Sequence, residues 1–176
     1  MIILKPKSEK FFLRHFVAND VKGFYECQQD KWAKKGFMTV PKNLAAAKKE
    51  VKYEISQYKK KKPTGESFAI VIDGNFAGYV EVHDLNKKFR EHKAKIGYCL
   101  HEKFRGQGIT ADAVKLITKY AFKKYKLKRI AGWCRTFNKA SASVLKRSGF
   151  KFEGILKNNK CKNGKCLDDM VWAITK

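Results

Sequence analysis

The sequence predicts an α/β protein, a single domain whose strands share one mixed sheet. Two local observations carry that reading. A strand-like run, Ala94 to Leu100, enters the glycine turn Phe104-Arg105-Gly106-Gln107-Gly108-Ile109-Thr110, which opens an amphipathic helix. Asp73-Gly74 and Asn163-Gly164 each separate two strand-like runs as hairpin turns. At 176 residues the chain fits one hydrophobic core, and no repeat, linker or shift of composition marks a second.

In chain order, Phe11, Leu13 and their neighbours read as a first strand, after which Asn19 is placed to cap a short helix running to about Gln28. Pro41 and Asn43 open a second helix in which Leu44, Ala47, Val51, Ile55 and Tyr58 keep to one face. Lys59 to Gly65 is a basic loop. A hairpin follows, with strands Phe68 to Ile72 and Phe76 to His83, and the chain bends at Asp84 to Arg90 before the run that ends at Leu100. There Ile96, Tyr98 and Leu100 share a face, as a period of two requires. In the long helix Ile109, Ala113, Leu116, Ile117, Tyr120 and Ala121 recur at helical spacing, opposite Asp112, Lys115, Lys119 and Lys123. A strand from Arg129 to Arg135, a helix from about Lys139 to Arg147 and a final hairpin complete the chain.

Composition narrows the class. A hydrophobic fraction of 44% supports a packed globule. No apolar run approaches the ~20 residues of a bilayer span, and Met1-Ile2-Ile3-Leu4-Lys5-Pro6-Lys7 is charged too early for a signal peptide. A cytoplasmic protein without membrane contact is expected. Cys27, Cys99, Cys134, Cys161 and Cys166 form an odd set without a C-x-x-C pair, so ordinary reduced thiols are expected, even for Cys161 and Cys166, which could in principle meet across the hairpin they flank. His15, His83, His92 and His101 lack ligand spacing, and no metal is expected. The net charge of +24, from 40 basic and 16 acidic residues, should attract polyanions. It is scattered through Lys31 to Lys35, Lys59 to Lys62, Lys123 to Lys128 and Lys157 to Lys165, with Tyr58, Tyr120 and Tyr125 interleaved. Two readings stay open: a lysine-rich solvated surface, and a face for RNA or the ribosome.

The glycine turn has a chemistry of its own. Gly106 and Gly108 allow unusual dihedrals and close approach, and the helix that starts there offers free N–H groups and its positive dipole end, an environment suited to a pyrophosphate. The spacing is wrong for a P-loop and for a dinucleotide-binding G-x-G-x-x-G. Read as Arg105-x-x-Gly108-x-Thr110, it resembles the R/Q-x-x-G-x-G/A motif of the GNAT acyltransferases. Further on, Arg129-Ile130-Ala131-Gly132-Trp133-Cys134, Asn138-Lys139-Ala140-Ser141, Val144-Leu145, Ser148-Gly149-Phe150 and Phe152-Glu153-Gly154 follow in an order similar to the Rim-type branch, the ribosomal-protein N-terminal acetyltransferases and their relatives. Phe68-Ala69-Ile70, Ile96-Gly97-Tyr98 and Asp168 also match. Roughly the last two-thirds of the chain takes part.

The resemblance implies a GNAT fold: a mixed, mostly antiparallel sheet of about seven strands with about four helices, in which the strand before the glycine turn splays from the strand after the long helix. It implies that Arg105, Gly106, Gln107, Gly108, Ile109 and Thr110 hold the pyrophosphate of acetyl-CoA, mostly through backbone amides, and that the backbone of Tyr98, Cys99 and Leu100 holds pantetheine and polarises the carbonyl. Asn138 would touch pantetheine, and Ser141 would protonate the departing sulfur. Read as residues, Asn138 is an N-cap candidate, Ser141 a first-turn hydroxyl and Ser143 a surface neighbour. Three positions depart from the pattern: Thr110 in the loop, Leu145 where many relatives carry a tyrosine, and Lys95 where a glutamate often stands. The general base is therefore sought in Glu81 or His83, which alternate onto one strand face, acting directly or through water, with Asp84, Asp168 and Asp169 as further candidates. Glu153 is expected to pair with a nearby lysine.

The implied activity is transfer of an acetyl group from acetyl-CoA to a primary amine by direct attack in a ternary complex. An α-amine, with a pKa of about 7.7–8.0, costs about 1.4 kcal/mol to deprotonate at neutrality, whereas a lysine costs more than about 4 kcal/mol. Weak base machinery thus favours a protein or peptide N-terminus. Small amines, such as an aminoglycoside, an amino acid or a polyamine, are the alternative, and a cleft closed over by Trp32 to Val40 and Tyr58 to Gly65 would favour them. A catalytically impaired GNAT fold that binds RNA or the ribosome is the third reading. A monomer or homodimer is expected.

Overall fold

The computed structural model describes residues 2–6, 8–162 and 164–176. Met1, Lys7 and Asn163, on which the readings of the N-terminal stretch and the last turn partly rest, lie outside the described residues. Among those described, eight strands form one sheet in the order β1-β2-β3-β4-β5-β6-β8-β7. They are β1 (Ile3–Leu4), β2 (Phe12–His15), β3 (Gly65–Ile72), β4 (Asn75–His83), β5 (Lys93–Leu100), β6 (Arg129–Arg135), β7 (Lys151–Lys162) and β8 (Lys165–Thr175). Every neighbouring pair is antiparallel except β5–β6. The α/β sheet is the expected one, with one strand more because two residues, Ile3 and Leu4, pair with Arg14 and Leu13.

Among the described residues five α-helices flank the sheet: α1 (Val21–Glu26), α2 (Lys31–Gly36), α3 (Leu44–Gln57), α4 (Ile109–Tyr125) and α5 (Lys139–Arg147). On one face α4 and α5 bury Ile109, Ala113, Ile117 and Leu145 against Leu13, Phe68, Ile70, Val80, Val82 and Ile96. On the other, α1 and α3 set Phe24, Ala47 and Val51 against Ala69, Val71, Tyr79 and Cys99. The predicted apolar stripe of α3 holds at Ala47 and Val51, whereas Leu44 stays exposed.

Three expectations need correction. Asn19 does not cap the first helix: it lies in a 3-10 turn, and the Asp20 carboxylate accepts from Val17 N at 2.8 Å while the Arg14 guanidinium grips it with two 2.7 Å bonds. The segment read as a loop at Trp32 to Val40 begins as helix α2, capped by Asp30, whose Oδ1 accepts from Trp32 N and Ala33 N. Cys161 and Cys166 are paired across the β7–β8 hairpin as a disulfide, so the expectation of five reduced thiols holds only for the buried Cys27, Cys99 and Cys134.

One buried carboxylate ties three elements together. Glu66 of β3, 3% exposed, receives His15 from β2 and Tyr120, Lys124 and Tyr125 from α4. Burial alone would push its carboxyl up, but the bonds from His15, Tyr125 and Lys124 outweigh that and hold it at about 2. Its folded pKa lies below the unfolded value, so the stabilisation is complete above about pH 4.5 and is lost as pH falls towards 2. The shift is equivalent to roughly 3 kcal/mol. Urea titrations between pH 6 and pH 2.5 should therefore show a midpoint that falls more steeply in the wild type than in Glu66→Gln, and parallel slopes would refute this role.

Candidate active site

The site begins where the β5–β6 ladder stops. Its parallel register runs from Lys93↔Arg129 to Ile96↔Gly132 and ends there, while β5 continues along β4 to Leu100 and β6 continues along β8 to Arg135. The two strands part as the resemblance implies. His101 N donates to Ala77 O, so by the alternation of an antiparallel ladder the backbone groups of Cys99 face β4 and those of Tyr98 and Leu100 face the gap. Leu100 O accepts from Arg105 Nε at 2.9 Å. Tyr98 N–H and C=O are thus the backbone groups presented to a chain threaded between the strands. Cys99 points away and donates its thiol to Cys27 O.

At the wide end of the gap lies the glycine turn. Gly106 and Gly108 have φ of 81° and 79°, the left-handed region that glycine enters without strain. Gly108 is the N-cap of α4, and its carbonyl accepts from Asp112 N, which leaves the N–H groups of Ile109, Thr110 and Ala111 to project from the helix start as an anion cradle. The Ile109 side chain is buried in the core, while its N–H belongs to the helix start. Gln107 is exposed. The Arg105 side chain turns aside, its Nη2 lying 2.6 Å from Asp30 Oδ2, so its share in the cradle is its backbone. A cation that the sequence reading missed stands nearby: Arg147 Nη2, at the end of α5, is 3.5 Å from the point where a Cβ on Gly108 would sit.

Towards the narrow end, on the α4–α5 side, Asn138 caps α5 by accepting from Ser141 N at 3.0 Å. The cap fixes Ser141, whose Oγ lies 2.8 Å from Tyr98 Oη, either atom being able to donate; the phenol's one proton goes to Oγ or to Ser141 O, 3.1 Å away. Burial pushes the Tyr98 phenol well up, so it stays a donor. When it donates to Oγ, the Ser141 proton is free for a third group. Leu145, one of the three departures from the motif, is buried in the core. Cys134 is pushed up to about 11, mainly by burial, and is a thiol at neutral pH.

Glu81 and His83 share the opposite face, as alternation required. Glu81 pairs with Gly97, the first β5 residue past the β5–β6 ladder, and lies across it: a Cβ on Gly97 would come within 3.0 Å of Glu81 Cγ. Burial first, then Glu54 and Glu50, push the Glu81 carboxyl up to about 7 against the pull of Ser67. His83 is lowered by burial, with Lys95 and Lys87 adding to it and Asp84 opposing, so the ring is neutral at pH 7.

The other candidates are engaged elsewhere. Asp84 is held at about 2 because ion pairs with Lys87 and Lys95 outweigh its burial. Lys95, engaged with Asp84, lies over the Trp133 ring. Asp168 is lowered by Asn158 N and Lys157. Asp169 is buried in an ion pair with Arg135. Glu153 pairs with Arg129 and not with a lysine.

Helix α2 straps the α1–α3 side. Asp30 fastens its start to Arg105, beyond β5; Lys162 of β7 donates to Lys34 O and Phe37 O at its end; and Arg135 of β6 reaches Met38. Among the described residues no three His, Cys, Asp or Glu side chains are placed to hold a metal ion, and no helix is long and apolar enough to cross a membrane.

Comparison with known proteins fits this geometry. The chain is 31% identical over 112 residues to YdaF of Bacillus subtilis, named as a ribosomal N-acetyltransferase, a match covering 64% of this chain and 60% of YdaF. It is 27% identical to the ribosomal-protein-serine acetyltransferase of Escherichia coli, over 94% of this chain and 93% of that protein. It superposes with a TM-score of 0.85 and 22% identity, over 99% of each chain, on a Salmonella typhimurium acetyltransferase described as modifying the N-terminal serine of a 50S ribosomal subunit protein. The family model described as an acetyltransferase (GNAT) domain matches residues 10–151, and this chain belongs to the GNAT acetyltransferase family.

Proposed function

We propose that this protein transfers the acetyl group of acetyl-CoA to a primary amine, foremost the N-terminal α-amine of a protein or peptide, by direct attack within a ternary complex. The single observation that carries this is the gap beyond Ile96 and Gly132, with Glu81 against it on one face of the sheet and the Tyr98–Ser141 pair on the other. The amides of residues 109–111 grip the coenzyme's pyrophosphate, with Arg147 adding charge. Pantetheine follows the backbone of Tyr98 and brings the thioester to the narrow end. Glu81, half ionised near neutrality, takes the amine's proton, which suits an amine that itself loses its proton readily. Ser141, held by Tyr98, gives a proton to the departing thiolate. Cys134, whose thiol burial pushes up to about 11, takes no part in this scheme.

A second reading draws on the α2 strap, which narrows the acceptor side and would suit a small amine such as an amino acid. Release of free coenzyme A should be followed with acetyl-CoA and peptides of varied first residue, beside spermidine, an aminoglycoside and free amino acids. Turnover highest with peptides is expected. Turnover confined to small amines would overturn the protein-terminus reading, and no turnover together with salt-sensitive RNA affinity would favour the binding role that the +24 charge suggests.

A further inference from the structure

On the α1–α3 side, two carboxylates meet at one hydroxyl. Ser67 of β3 stands opposite Glu81 in the β3–β4 register, and its Oγ lies 2.7 Å from Glu54 Oε2 on α3 and 3.3 Å from Glu81 Oε2. A hydroxyl has one proton to donate. Given to Glu54, the nearer acceptor, it leaves Ser67 able only to accept from Glu81, and that second contact becomes a hydrogen bond only when Glu81 itself is protonated. The three groups are therefore satisfied with one proton on Glu81, the state that follows proton abstraction.

The two oxygens of Glu81 have different surroundings. Oε1 lies against Gly97 beside the gap, and Oε2 faces Ser67. Ser67 is 1% exposed, which leaves no room for water to replace it. Glu54 is partly accessible, and Glu50, one turn earlier on the same helix, is exposed. The carboxylates thus step outward from the sheet to solvent.

Resting on the reading of Glu81 as the base, we propose that Ser67 and Glu54 are positioning residues that form a proton exit from Glu81 to the surface of α3. The amine N–H bond breaks as the Glu81 O–H bond forms. The Glu81 carboxyl then rotates to bring that proton from the gap to the Ser67 side and passes it to Ser67 Oγ while Ser67 passes its own to Glu54; Glu54 releases it to water, and the Ser67 hydroxyl turns back towards Glu54. One proton leaves, no electron pair changes owner outside these bonds, and each group returns to its starting state.

The titratable groups facing Glu81 are Glu50 and Glu54 from α3, Tyr79 and His83 from β4, and Cys99 and Lys95 from β5. Tyr79 is pushed up by burial and stays protonated, and burial raises the Glu54 carboxyl as well, against the pull of Ser67. Removing the Glu54 charge makes Glu81 easier to ionise.

The test uses the whole chain, acetyl-CoA and a short peptide with a free N-terminal serine, with kcat and kcat/KM measured against pH for Ser67→Ala, Glu54→Gln and Glu81→Gln. Glu81→Gln should lower kcat/KM by about 10²-fold or more. Glu54→Gln should move the acid limb of kcat/KM to lower pH by about one unit. It and Ser67→Ala should each lower plateau kcat by about tenfold with the acceptor KM unchanged, and Glu54→Asp should restore most of it. An unmoved limb and an unchanged plateau beside an inactive Glu81→Gln would remove the exit and leave the base in place. Wild-type turnover by Glu81→Gln would remove the base reading and the exit with it.

Discussion

Gly108→Trp should bind acetyl-CoA about 10³-fold more weakly, a loss of roughly 4 kcal/mol. The indole would stand over the N–H groups of Ile109, Thr110 and Ala111, where the cradle opens. Hydrogen bonds to charged groups are worth about 1.5–3 kcal/mol each, so displacing the pyrophosphate from two of them accounts for the figure. A side chain at φ 79° also strains the backbone by about 1–2 kcal/mol, which lowers Tm by roughly 2–8 °C in a domain of this size. Gly74→Trp separates the two effects, since Gly74 has φ 77° in the β3–β4 turn with nothing within 4 Å of its Cβ position. It should show the same loss of Tm and bind coenzyme normally by calorimetry. Wild-type affinity in Gly108→Trp would mean that coenzyme does not rest on these amides.

Asp169→Ala should destabilise the fold by about 3–5 kcal/mol, because it strands the Arg135 guanidinium without its counter-charge. Both side chains of this pair are 5% exposed, with Arg135 Nη1 at 2.9 Å from Asp169 Oδ1, and Asp169 Oδ2 also accepts from Asn159. Replacing both partners, as in Arg135→Met with Asp169→Leu, should recover most of the loss, since the cost lies in an unpaired buried charge more than in the lost attraction. Urea midpoints of the single and double variants decide the matter, and a double variant no more stable than the single would refute it. The pair closes β6 against β8 beside the strap, where Arg135 also meets Met38.

What could be read from the sequence was whatever is written within a few residues. Asp73-Gly74, the alternation of Ile96, Tyr98 and Leu100, and the stripe of α4 are local, and β6 and α5 appear at the boundaries expected. Glu81 and His83 came onto one face by alternation alone. Helix α2 escaped because six residues, three of them lysine, are too few to show an apolar period, and its signal is one aspartate before it. Asn19 reads as a cap in isolation, but α1 starts without a side-chain cap, because Asp20 is turned back to Val17 N and held there by Arg14, six residues earlier. Nothing local links Glu81 to Ser67 and Glu54, or Arg147 to Gly108, because register and helix packing create those neighbourhoods.

The direction of β5 and β6 has a consequence for how this architecture tolerates change. Strands that run the same way must be joined by a long excursion, here α4, and cannot be bridged by a tight hairpin. The slot between them is thus held open by chain routing and by β4 and β8 pulling outward, and no particular side chain has to wedge it apart. Side chains lining it are free to drift while the slot itself, made of main chain, stays the same.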